Sequence, residues 1–325
     1  MNFIARPRFL LRLLASALIA SATAHASAQS GDGKIVVGNQ PGGATDIVAR
    51  LLVPDFSKAL GRQFIVENRT GASGNIAAEY VAKAPPDGNT ILLIFNSHTT
   101  IKSLFPKLPF DPIKDFASVG LISQAPYLVV ARPDIGVDTL SDLLARAKKT
   151  SQPISFGSPG PGTPQHLLAE QLRKADGVEI ESVHYKGSSP AQTDVMGSHV
   201  DISLVTESLG APFVKSGKLK LLAVTSKNRL PDFPNTPTAG EQGVKTFDST
   251  GVWLALLVPA KTPADTVARL NKTLNDTLAS PDVQAHLKAI GMIPMGGSTA
   301  ELDKLMRDEQ ATWSVLIKDS KITLE

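Results

Sequence analysis

The chain has 325 residues, with 33 Lys and Arg against 30 Asp and Glu, 42% hydrophobic side chains and no cysteine. Absence of cysteine excludes a disulfide framework, thiol catalysis and thiolate metal sites, and the near balance of charge gives no footing for nucleic acid or an anionic membrane surface. The fold must therefore rest on its hydrophobic core, which a chain of this length supplies most simply as two domains of ~150 residues.

At the start, Arg6, Arg8 and Arg12 precede an apolar stretch, Leu13 to Thr23, and then the small residues "AHASAQ". This is the pattern of a secretory signal peptide over residues 1–28, with cleavage after Ala26 or, preferred, Ala28. The formal net charge of +3 equals the three arginines of this leader, so the mature chain is neutral. The apolar stretch is too short to span a bilayer, and no later segment is long enough. With no paired-arginine signal and no lipid-bearing cysteine, a soluble, exported protein is expected.

Along the mature chain, apolar runs "KIVV", "QFIVE", "TILLIF", "YLVVA", "ISFGS", "ESVHY", "DISLV" and "KLLAV" alternate with stretches of helical periodicity. That alternation predicts βαβ units around largely parallel sheets. The first helix carries Ile47, Val48, Leu51, Leu52, Phe56 and Leu60 on its apolar face and stops at Gly61; Pro54 inside it predicts a kink or restart near Val53. A second helix, "NIAAEYVAKA", ends at Pro85-Pro86. The last third is helical over 263–280, 281–290 and 299–317, each segment opened by a proline or a capping residue. No repeat, low-complexity segment or flexible linker divides the chain, so any domain boundary passes through ordered strands.

Three strand-to-helix turns carry the chemistry. "GNQPGGATD" lacks the glycine spacing of a dinucleotide site and the Gly-Lys-Ser/Thr ending of a P-loop, which weakens a phosphate reading. Gly42 and Gly43 permit close backbone approach, and Thr45 or Asp46 is placed to cap the helix; a plain tight turn accounts for these residues as well as a ligand site does. "ENRTGASGN" repeats the design, and two such turns at the carboxyl edge of one sheet point to an anion site. In "GSPGPGTPQHLLAEQL", Thr163 is the expected N-cap and Pro164 the first helical residue, with Leu167, Leu168 and Leu172 facing a core. Lys186, in "HYKGSSPAQTDV", is a candidate counter-charge or a solvated surface lysine.

The six histidines, at 25, 98, 166, 184, 199 and 286, show no metal-ligand spacing, and no metal or other cofactor is expected. No G-x-S-x-G elbow surrounds Ser73 or Ser97, although a triad built from distant residues stays open.

Seven stretches, in order, carry a resemblance: "PGGATDIVARLL", "VENRTGASGNIAAEYVAKAPPDGNTILL", "LPFDPIKDF", "YKGSSPAQTDVMGSHVD", "GKLKLLAVTSKNRLPDFPNTPTAGEQG", "WLALLVPAKTPADTVARLN" and the tryptophan of "EQATW". Together they resemble the extracytoplasmic solute receptors of tripartite tricarboxylate transporters, the Bug-type receptors, over essentially the whole mature chain. The resemblance implies a type II-like periplasmic binding protein, two α/β domains joined by crossing strands around a ligand cleft. It makes "YLVVARPD" and "GVWLALLVP" the crossovers, so that 29–131 and 251–325 form one domain and 132–250 the other.

For the site, the resemblance implies that a ligand carboxylate is met by Gly42, Gly43, Ala44 and Thr45, then Ala72 and Ser73, with Asn96 and Ser97 after the third strand. From the other domain it nominates Ser158, Gly162, Thr163, Tyr185 and Lys186. The sequence departs from the family pattern at Pro54, Thr70, Ser73 and Asn89. The implied function is capture of a small organic acid and its delivery to membrane transporter subunits, by a monomer that is not an enzyme. The rival readings are a secreted serine hydrolase using Ser73 or Ser97, and a ligand sensor docking on a signalling protein.

Overall fold

A computed structural model describes residues 32–322 apart from 106 and 249. The leader and its cleavage site lie outside the described residues.

Strand β1 (Gly33–Val37) buries Ile35, Val36 and Val37 completely. Burial on consecutive positions means that both faces are covered, as in a parallel α/β sheet. Helix α1 (Ala44–Leu60) crosses to β2 (Phe64–Asn68), and α2 (Asn75–Ala82) to β3 (Thr90–Phe95); both strands pair with β1 in parallel. Helix α1 continues through Pro54 as one helix, so the chain does not restart there. Leu52 and Phe56, on either side of the proline, are wholly buried in one core, and such packing outweighs one lost backbone bond. Ile47, expected on the apolar face, is 44% exposed.

After the short α3 (Ile101–Leu104), β4 (Phe116–Ala131) runs for 16 residues. Next come α4 (Leu140–Thr150), β5 (Ile154–Ser158), α5 (Pro164–Asp176), β6 (Ile180–His184), α6 (Ser188–Met196), β7 (Ile202–Thr206), α7 (Glu207–Lys215) and β8 (Lys220–Val224). The chain returns through β9 (Gly251–Pro259) and ends with α8 (Ala264–Leu278), α9 (Pro281–Ala289), β10 (Ile293–Gly296) and α10 (Thr299–Asp319). The strand order is β2-β1-β3-β9-β4-β7-β5-β6, with β8 and β10 also paired to β4.

β4 holds the sheet together by changing partners. Residues Phe116 to Pro126 pair antiparallel with β9, and Tyr127 to Ala131 pair with β7. At the changeover, the Thr225 hydroxyl accepts the Tyr127 N–H at 2.8 Å and donates to the Thr250 carbonyl at 2.6 Å. Gly251 is required there, because a Cβ would stand 2.3 Å from the Ala125 carbonyl oxygen. The first eleven residues of β4 and all of β10 escape the sequence reading: Ser118, Gly120, Ser123, Gln124 and Pro126 interrupt the apolar pattern that marks the other strands.

Each face of the sheet is covered. One face of the β1-β3-β9 half packs on α1, α8 and α9, and the other on α2 and α10. The β5-β7 half packs on α4 and α5, and on α6 and α7. The end of α10 reaches across, where Leu316 and Ile317 pack on Leu167 of α5.

Candidate functional site

The glycine-rich turns stand at the carboxyl ends of the parallel strands, as open α/β sheets place their ligand sites. After β1, Gly42 adopts φ +83° and its N–H donates to Asp46 Oδ2 at 2.9 Å. Gly43, not Thr45 or Asp46, is the N-cap of α1, and no side chain caps the helix. Asp46 acts instead as a clamp: Arg50 Nε donates to Oδ2 at 2.9 Å and Asn68 Nδ2 to Oδ1 at 2.9 Å. Asp46 is buried and its pKa is lowered to about 2, chiefly by Arg50 and against the cost of burial. Ala44 and Thr45 form the first turn, where helical N–H groups have no partner within the helix.

After β2, Ala72 and Ser73 lie in a short 3-10 turn, Ala72–Gly74. Ala72 sits at φ +45°, a left-handed conformation that strains a residue with a Cβ. Gly74 then caps α2 without a side-chain acceptor. The two turns touch, since a Cβ on Gly38 would stand 2.6 Å from the Gly74 Cα. Ser97 joins them in one recess with Gly38, Asn39, Gly74 and Asn75. Asn96 beside it is buried and donates from Nδ2 to the Gly251 carbonyl at 3.0 Å.

In the other half, Ser158 is wholly buried, and its hydroxyl is spent on the Gly160 N–H at 3.2 Å and the Gly160 carbonyl at 3.1 Å. Thr163 caps α5 as expected, and Pro164 opens it. The Gly162 N–H donates to His166 Nδ1 at 3.0 Å; burial pushes the His166 pKa down to about 4, so the ring stays a neutral acceptor. Tyr185 donates from its backbone N–H to the Ser158 carbonyl at 2.8 Å and from its hydroxyl to Asp194 at 2.6 Å. Lys186 is exposed, and the next residue, Gly187, caps α6 with no side-chain acceptor. All three nominated hydroxyls in this half are thus occupied within the protein: Ser158 and Thr163 by Gly160, and Tyr185 by Asp194 of α6.

Asn96 from the first half and Pro164, next to Thr163, line one cavity, which joins the two sets of loops. Tyr185 and Lys186 line neither this cavity nor the recess.

Of the residues that line this cavity only Asn96 was nominated; those missed include Trp253, Glu309 and Trp313. Glu309 had a readable signal. In α10 the buried positions Leu302, Met306 and Leu316 recur at helical spacing, and Glu309 falls on that apolar stripe.

A family model for the tripartite tricarboxylate transporter family receptor matches residues 48–322. The chain belongs to this receptor family. The receptor is 30% identical to Protein BugT of Bordetella pertussis over 294 residues, with 90% of each chain covered. Among solved structures, a Rhodopseudomonas palustris protein with adipate is 32% identical at TM-score 0.72, over 92% of this chain and 100% of that one. MatC from the same organism, with bound malate, is 30% identical at TM-score 0.68, over 88% and 98%. The fold of this receptor is accordingly that of a periplasmic binding protein with two α/β domains, type II-like, and its family is one of solute receptors.

Proposed function

We propose that this receptor captures a small organic acid in the cleft between two lobes, 29–131 with 251–325 and 132–250, and delivers it to the membrane subunits of a tripartite transporter. The observation that carries the reading is the set of three helices, α1, α2 and α6, that begin at Gly43, Gly74 and Gly187 with no side-chain cap. A glycine N-cap has no side-chain acceptor, so N–H groups of the first turn and the positive end of each helix are left to a ligand carboxylate, apart from the Asn75 N–H of α2, which donates to the Ala72 carbonyl. Charge-assisted bonds of this kind are worth ~1.5–3 kcal/mol each.

Ala44 and Thr45, Ala72 and Ser73, with Ser97, serve the carboxylate, and Lys186 approaches from the second lobe as it closes; Gly42, Gly43 and Thr163, whose donors go to Asp46 and to the Gln40 and Gly160 carbonyls, shape the turns. Ser158, Gly162 and Tyr185 shape the second-lobe loops. Trapping, not turnover, is the output. His98, next to Ser97, supports this: its Nε2 is bonded to the Pro112 carbonyl at 2.9 Å and its ring packs on Phe110 and Phe116. We read the protein as exported by its leader to the periplasm and monomeric, since a cleft receptor has no need of a partner subunit.

Isothermal titration of the refolded mature chain against di- and tricarboxylates, aromatic acids and acidic amino acids tests the reading. Tight binding of one acid class is expected; binding of a neutral sugar with no acid bound overturns it.

A further inference from the structure

Asn68 ends β2 in register with Val37, the last residue of β1. The backbone ladder between the two strands stops one step later, where the Arg69 N–H donates to the Val37 carbonyl at 2.8 Å. Past that bond the two glycine turns, 38–43 and 70–74, lead away to α1 and α2, and the described residues of these turns share no backbone hydrogen bond.

The Asn68 side chain carries the connection onward. Its Nδ2 donates to the Asn39 carbonyl at 3.1 Å and to Asp46 Oδ1 at 2.9 Å. An amide nitrogen has two hydrogens, and a carbonyl or an ionised carboxylate only accepts, so both hydrogens are used and the amide has one orientation. The same contacts fill Asp46. Gly42 N–H and Arg50 Nε donate to Oδ2, and Arg50 Nη2 and Asn68 Nδ2 to Oδ1, so each oxygen meets two donors. The other charges beside Asn68 pair with one another: Glu67 takes Lys34 at 2.8 Å and Arg69 Nε at 2.6 Å, and the Arg69 guanidinium lies over the Tyr80 ring.

Both acceptors matter to an anion. Asn39 lines the recess with Gly38, Gly74 and Ser97; a carbonyl oxygen left free beside that recess would oppose a carboxylate, and Asn68 occupies it. Asp46 belongs to the first turn of α1, so a bond to it from the end of β2 fixes the start of that helix against the turn that leads into α2. Donors fixed before the ligand arrives spare binding the cost of ordering them.

We propose that Asn68 is a positioning residue for ligand capture: its one amide staples the two glycine turns together, so that their N–H groups form a single preformed carboxylate site. It acts through Asn39 and Asp46, not by touching the acid. This role rests on the carboxylate reading of the glycine turns.

Asn68→Asp replaces the donor by an acceptor and sets a second carboxylate against Asp46, which favours uptake of a proton as pH falls. Once protonated, the introduced carboxyl can donate to Asp46 again. Asp46 itself, with its pKa lowered to about 2, stays ionised at pH 5. Hydrogen exchange of the ligand-free mature chain, corrected for intrinsic rate, reads the staple directly. At pH 7.5 protection over residues 39–46 should fall at least tenfold in Asn68→Asp and in Asn68→Ala. At pH 5 it should return in Asn68→Asp alone, because alanine regains no donor. If Asn68→Asp does not fold at pH 7.5, the tenfold loss in Asn68→Ala decides. Titration at pH 7.5 with malate, citrate, benzoate and glutamate should show at least tenfold weaker binding in both variants for any acid that wild type holds. Unchanged protection, a loss in Asn68→Asp that acid does not reverse, or wild-type affinity in a variant that has lost protection overturns the staple and leaves the receptor reading standing. Protection that falls and returns as described, in a wild-type chain that binds none of the four acids, upholds the staple and overturns the carboxylate reading.

Discussion

Gly38 and Gly74 are in backbone contact across the two glycine turns: a methyl group on Gly38 would stand 2.6 Å from the Gly74 Cα. The turns after β1 and β2 are therefore one unit, and the N-termini of α1 and α2 are held at a set spacing. Gly38→Ala should force them apart. The expected cost is ~1–3 kcal/mol of stability, as for overpacking in a core, with at least a tenfold loss of carboxylate affinity. Thermal unfolding with titration checks this; wild-type affinity in the variant would detach the turns from binding.

Asp46 should be sensitive to charge removal. Asp46→Asn keeps the shape but weakens the bonds to Gly42, Arg50 and Asn68, and bonds to a charged group are worth ~1.5–3 kcal/mol. The folded pKa, about 2, lies below the ordinary 3.8. Its stabilisation is thus complete above pH ~4 and is lost as pH falls through 2. Urea unfolding at pH 7 and pH 3 should show the gap between wild type and variant narrowing at the lower pH.

Glu309 should behave in the opposite sense. Its folded pKa of about 7 lies above the ordinary 4.5, so between these values the native state binds more protons than the unfolded one. Stability from this group falls as pH rises from ~4.5 to ~7, with a limiting slope of about 1.4 kcal/mol for each step of one in pH. Glu309→Gln supplies a permanent donor toward Thr99 and should remove that slope. Melting temperatures measured from pH 5 to pH 8 that run parallel for the two proteins would show that the carboxyl is already charged.

Thr163 caps α5 and also donates to the Gly160 carbonyl at 2.8 Å. Thr163→Ala should cost ~1 kcal/mol of stability, and it should loosen the second-lobe loop. Amide exchange over residues 157–166 should quicken in the variant. Unchanged protection there would confine the role of Thr163 to the helix end.

Residues that act through their nearest neighbours in the chain were legible. The alternation of strands and helices, the glycine turns, the cap at Thr163 and the buried Leu167, Leu168 and Leu172 follow from local pattern, because burial of one face imposes a period on the sequence. That pattern, with the motifs it contains, was enough for the fold class and the receptor family. The stripe of α10 also held a signal for Glu309, an acid at an apolar position, although the sequence reading passed over it.

What a side chain meets across the fold was not written locally. Pro54 in α1 allows a restart of the helix, yet distant packing keeps it one element. Ser158 and Tyr185 present hydroxyls suited to a ligand, but Gly160 and Asp194 already hold them. The exchange of partners by β4 at Tyr127, the contact of Gly38 with Gly74 and the raised pKa of Glu309 depend on residues brought together from far apart in sequence. Only tertiary structure decides such pairings, because hydrogen-bond partners and desolvation are properties of the assembled neighbourhood, not of the residue that carries the group.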